Sequence, residues 1–243
     1  MRPDTAYIEH MPVDAAQQPV PPDGLRPAQM GVVLLGRVIL GHAAVTLVDL
    51  AERGFMHAEE TGQATSPDWR IEITAPSRRT GSPELLPFEE ALLSHLAHGS
   101  HQSLLSELTG QLAPALQRFK KDLIRDAVHH DWLGHLHHDD RTPAGEELAQ
   151  QIRSFRSALR HLKTSGGDDA LDSYLPYALL FGLTSRDRLP HERFVGSWVQ
   201  ACAELPGWRS KEPARQGFDD PDFTRDEWRG MGLSGAAALS MGL

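Results

Sequence analysis

A single cysteine, Cys202, stands in 243 residues. No internal disulfide framework can form, and a reducing, cytoplasmic setting is expected. No apolar run approaches the ~18 residues that a membrane-spanning helix requires. The amino terminus carries Arg2 but then Asp4, Glu9 and Asp14, without the apolar centre of a secretion signal. Positive charge is short as well: 24 Lys and Arg face 33 Asp and Glu, for a net charge of −9. That balance repels a phosphate backbone over long range and disfavours non-specific nucleic-acid binding. Catalytic signatures are missing too. No serine occupies a glycine-flanked strand-to-helix elbow, and no glycine loop suited to phosphate appears. Gly31 and Gly36 lie inside an apolar helical pattern, where close helix packing is the simpler reading. Together these absences lean away from an enzyme, from a required cofactor and from membrane insertion.

What is present reads mainly as helix. Residues 1–26 hold Pro3, Pro12, Pro19, Pro21 and Pro22 and form an extended lead-in. Pro27 suits a helix start, and Met30, Val33 and Leu34 follow at helical spacing. Ala44, Leu47, Val48 and Ala51 repeat at i, i+3, i+4 and i+7, the stripe of a helix laid on a core, and Gly54 can end it in the left-handed conformation. Phe55–Ala58 and Trp69–Ile73 alternate with period two around a Thr61-Gly62-Gln63 linker, which predicts a hairpin. Helix, glycine and hairpin in that order match the second half of a winged helix. After a Pro- and Ser-rich joint the order repeats more weakly: helix over 88–97, helix over 115–129, and a short wing at 132–136. Leu148, Ile152, Phe155, Leu159 and Leu162 mark the longest helix, over 145–163. Two more helical segments span 171–183 and 190–205. The expected fold is therefore mainly α with small antiparallel β wings, an α+β class. Its expected units are a winged-helix-like one at 27–82, a second at 83–142, a helical cap at 143–205 and a loosely ordered tail at 206–243.

Three stretches are distinctive beyond pattern: Pro21-Pro22-Asp23-Gly24-Leu25-Arg26-Pro27-Ala28, Asp49-Leu50-Ala51-Glu52-Arg53-Gly54 and Tyr174-Leu175-Pro176-Tyr177-Ala178. With Thr142-Pro143-Ala144-Gly145 ahead of Phe155-Arg156, they resemble the cytosolic portion of the YciQ-like membrane proteins, a domain-of-unknown-function family, over about residues 20–205. Typical members add an extracytoplasmic β domain and transmembrane helices, which this sequence lacks. The resemblance implies architecture and carries no catalytic residues.

Four groups of side chains are candidates for function. His130, His135 and His137 sit in a segment dense in histidine and aspartate. On a strand, His135 and His137 would share a face and could hold zinc with His130 or Asp139, although a solvated wing is the simpler reading. His95 and His98 lack the paired carboxylate of a hydrolytic zinc motif. Arg118, Lys121 and Arg125, with Lys120, occupy the second unit's recognition-helix position and offer a nucleic-acid face, diluted by Asp122 and Asp126. Tyr174, Tyr177, Phe181 and Trp198 could line a groove for a peptide or small molecule, or pack as core. Cys202 reads as a small buried hydrophobe. The leading expectation is a non-catalytic module that binds a protein or peptide. An enzyme of specialised metabolism and a winged-helix regulator are the alternatives, and homo-oligomerisation is left open.

Overall fold

A computed structural model describes residues 18–63, 66–74, 84–96, 102–108, 112–134, 140–183, 189–203 and 205. At its centre lies α1 (Pro27–Leu35), whose nine residues are all buried. A helix apolar on every side must be covered on every side, and α1 meets four partners: α2 (Leu40–Glu52), α5 (Leu112–His129), α6 (Pro143–Gly166) and α7 (Leu175–Leu180). Pro27 opens α1, as its fixed φ favours, and the Gln29 side chain accepts the Arg26 N–H at 2.8 Å. Gly36 ends it at φ +63°.

Ala44, Leu47 and Val48 of the expected stripe on α2 are buried and Ala51 is half-buried, and Gly54 follows at φ +79°. The chain then enters a hairpin of β1 (Met56–Gln63) and β2 (Ser66–Ile73), paired from Met56↔Ile73 to Gln63↔Ser66. Thr61-Gly62-Gln63, expected as the linker, is strand, because cross-strand pairing carries β1 five residues past Ala58 and begins β2 three residues before Trp69. Trp69 and Ile71 are buried against the helices, while Glu59, Arg70 and Glu72 face solvent.

A third strand, β3 (Gln102–Leu104), pairs antiparallel with β2 and gives the order β1-β2-β3. Three residues of Gln-Ser-Leu carry almost no periodicity, so this strand was not legible in advance. It lies between α3 (Pro87–Leu96) and the short α4 (Leu105–Leu108), and attaches the stretch expected as a second unit to the first unit's sheet. One apolar cluster runs from Leu25 to Cys202. At the expected second wing the described residues show one bridge, Leu133↔Arg141; residues 135–139 lie outside them.

Helix α6 starts on Thr142, whose hydroxyl accepts the Gly145 N–H at 3.0 Å and donates to the Asp131 carbonyl. Gly145 presses on the Trp132 carbonyl so closely that a Cβ would collide with backbone, which cannot swing aside as a side chain can. Gly145→Ala is expected to lower the unfolding free energy by about 1–3 kcal/mol. Denaturant titration checks it, and an unchanged midpoint would refute the packing. The expected helix over 171–183 is divided into a 3-10 turn (Asp168–Tyr174) and α7. Pro176 explains the break: it has no N–H to give and belongs in a first turn. Helix α8 (Leu189–Ala203) covers the inner face of the sheet, with Phe194 edge-on to Trp69 at 5.2 Å.

Candidate functional site

The three distinctive stretches of sequence converge. Arg26 before α1, Asp49 and Arg53 at the end of α2, and Tyr177 on α7 gather around Glu89 from α3. Glu89 is fully buried. Its Oε1 receives Arg53 Nη2 at 2.6 Å and lies 3.6 Å from Arg26 Nε. Its Oε2 accepts the Leu86 N–H at 2.9 Å, an inward-facing version of the carboxylate that caps a helix from its third position. Arg53 Nε stands 3.0 Å from Asp49 Oδ2 in an ion pair without hydrogen-bond alignment, and its guanidinium lies over the Phe55 ring. Tyr177 donates its hydroxyl proton to the Leu25 carbonyl at 2.8 Å.

Burial governs the protonation of this cluster. It raises the Asp49 carboxyl above its usual range, against the pull of Arg53 and Arg26. It pushes the Tyr177 phenol up to about 12, with the Asp49 charge adding to the effect. A phenol held protonated is a hydrogen-bond donor at neutral pH and no base. Both Glu89 oxygens are engaged. The arrangement is chemically a clasp: it ties the start of α1, the end of α2, the start of α3 and, through Leu25, α7 at one point. Glu89 escaped sequence reasoning because an acidic residue in a helix's first turn reads as a solvated cap. The available signal was the apolar context, Leu85-Leu86-Pro87-Phe88 on one side and Ala91-Leu92-Leu93 on the other.

The aromatic quartet expected to line a groove is divided. Phe155 on α6, passed over as a seam residue, touches three rings: Tyr174 at 6.4 Å, Tyr177 at 5.4 Å and Phe181 at 6.2 Å. Phe181 is fully buried. Trp198, also fully buried, instead packs near Phe194 at 6.5 Å, beside the sheet. Phe181 and Trp198 are core, while Tyr174 and Tyr177 are half-buried and pack against it. Cys202 is buried, and burial pushes its thiol up to about 12.

His130 follows the end of α5, stacked on Trp132 at 4.7 Å with Nε2 3.7 Å from Asp126. His135 and His137 lie outside the described residues, within which no group of three or more His, Cys, Asp or Glu is placed to hold a metal. Arg118 and Arg125 both pair with Asp122, at 3.5 and 2.9 Å, and Lys121 is exposed beside them. Among the described residues no helix is long and apolar enough to cross a membrane.

The fold and its clasp define a mainly helical α+β protein with a three-stranded antiparallel sheet at one side. Compared with known proteins, the chain finds no match: no family model, no curated protein and no solved structure.

Proposed function

We propose that this protein is a non-catalytic module that binds a polypeptide, with β1 as the docking edge. The observation that supports it most is the position of β1. Among the described residues it pairs along its full eight-residue length with β2 and with no other strand. Its other edge is therefore a row of backbone donors and acceptors of the kind that accepts an added strand. The α2–β1–β2 order is that of a winged helix, and β1–β2 would be its wing. The resemblance to the YciQ-like cytosolic portion is compatible with the same reading, since its motifs supply every member of the clasp but Glu89.

Charge narrows the partner. The solvent face of the hairpin carries Glu59, Asp68 and Glu72 against Arg70, which is itself paired with Glu59 at 3.1 Å. Glu60, on the core side, is held by Arg193 of α8 at 2.6 Å. An extended segment bearing lysine or arginine at alternate positions complements this face.

The test uses eight-residue peptides alternating lysine with β-branched residues, followed by calorimetry and amide hydrogen exchange. Binding is expected to be saturable, with exchange slowed over residues 56–63. Glu59→Lys should weaken it by about 1 kcal/mol, roughly fivefold. Binding that leaves the β1 amides unprotected, or no binding at all, would refute the strand-addition reading.

A further inference from the structure

Sequence alone discounts the basic side of α5, because Asp122 and Asp126 interleave with its cations. The fold changes that balance. Asp122 is turned inward, with its side chain 8% exposed, and Asp126 is 15% exposed. Asp126 Oδ2 accepts the Gln29 amide N–H at 2.7 Å. Arg118 and Arg125, by contrast, are 67% and 63% exposed, and Lys120 and Lys121 are exposed with them. Every exposed charged side chain on this 18-residue helix apart from its terminal histidine is a lysine or arginine.

Two guanidiniums lean on the single Asp122 carboxylate from successive turns, one N-terminal and one C-terminal to it. A carboxylate offers one negative charge, so the pair keeps a net positive charge. Arg125 Nη1 donates to Asp122 Oδ1 at 2.9 Å, Arg118 Nε stands 3.5 Å from Oδ2 in a looser ion pair, and Lys121 is exposed on the same helix. Planar guanidinium forks exposed on one helix face match the oxygens of a phosphate, which can accept from both at once. The phosphate oxygens of a nucleic acid, spaced along a regular backbone, can meet successive cations down one helix face.

We propose that Arg118, Lys121 and Arg125 form a nucleic-acid backbone contact, with Asp122 as the positioning residue that holds the two arginines. The surface reads phosphodiester charge and carries no base specificity of its own. Its residues lie on α5 and not on β1, so the protein would hold a nucleic acid and a polypeptide through different elements.

Fluorescence anisotropy with a labelled 20-base-pair duplex, using the full chain, tests this. Three phosphate contacts predict a slope of log affinity against log salt near −2.7, a loss of roughly 40-fold between 50 and 200 mM salt. Lys121→Glu, at a side chain outside the Asp122 ion pairs, should weaken binding and lower the slope by about one. The triple Arg118→Gln, Lys121→Gln, Arg125→Gln variant should remove binding while keeping the melting transition. If the triple variant does not fold, the slope change in the Lys121 variant decides. Three results would overturn the proposal: no binding at 50 mM salt, binding indifferent to Lys121→Glu, or displacement of the duplex by polyglutamate at equal charge, which would mark the face as one for acidic polypeptides.

Discussion

Stability is expected to fall by about 1.4 kcal/mol for each pH unit below 6.5 on account of one side chain, His42. His42 is fully buried between α1 and α2, with its ring against Gly31, where a Cβ on the glycine would collide with the imidazole. Its Nδ1 faces the Ile39 N–H at 3.5 Å, and its Nε2 is buried without a hydrogen-bond partner. Burial first, and Arg37 second, depress its pKa from 6.5 to about 3. Folding therefore holds the ring neutral. Above pH 6.5 both folded and unfolded chains are neutral there and the group is silent. Below 6.5 the unfolded chain takes up a proton that the folded one refuses, and stability drains away until about pH 3. Near pH 4.5 the loss reaches roughly 2–3 kcal/mol. Asp49, with its raised pKa, acts in the opposite sense and should soften the fall at the acid end. Urea unfolding across pH 7 to 4.5 measures the slope. His42→Leu, which keeps the bulk and removes the titration, should flatten it. An identical slope in that variant would refute the assignment.

Truncating Glu89 is expected to cost about 3–5 kcal/mol, because it removes the buried carboxylate that Arg26 and Arg53 share and leaves Arg53 only the Asp49 ion pair. Removing one member of a buried ion pair costs far more than the pair contributes as a whole, since the remaining charge keeps its desolvation penalty. Arg53, with its side chain 11% exposed, has little water to turn to, while Arg26, at 22%, has more. Glu89→Ala also leaves the Leu86 N–H without its acceptor at the start of α3. Glu89→Gln retains an oxygen for that N–H and should lose less. Pairing Glu89→Ala with Arg53→Met would recover part of the loss, as two apolar neighbours replace an orphaned charge. Equilibrium unfolding of the parent, Glu89→Ala, Arg53→Met and the double variant gives the coupling energy. A Glu89→Ala variant within 1 kcal/mol of the parent would show that the clasp does not hold the fold together.

Local periodicity carried the long elements. The stripe of α2, the seam of α6 and the proline start of α1 are short-range patterns that appear wherever one face of a helix is buried. Gly54 was legible for the same reason, since its role is a backbone angle that few other residues adopt. The clasp was half legible. Arg26, Asp49, Arg53 and Tyr177 stood out as parts of unusual stretches, but nothing in one dimension brings residues 26, 53, 89 and 177 together. Trp198 was grouped with Tyr177 on sequence, yet the fold sets it beside the sheet with Phe194, because α8 covers the sheet and not α6.

Composition and periodicity determined the helix-rich class, the hairpin and the buried stripes, because each depends on neighbours within a few residues. The addition of β3 to the sheet, the convergence on Glu89 and the inward turn of Asp122 and Asp126 were decided by tertiary packing alone. The physical reason is shared. Whether a carboxylate serves as a solvated surface charge, a buried counter-ion or an anchor beneath two arginines depends on the water left around it, and that is set by whichever elements pack above it.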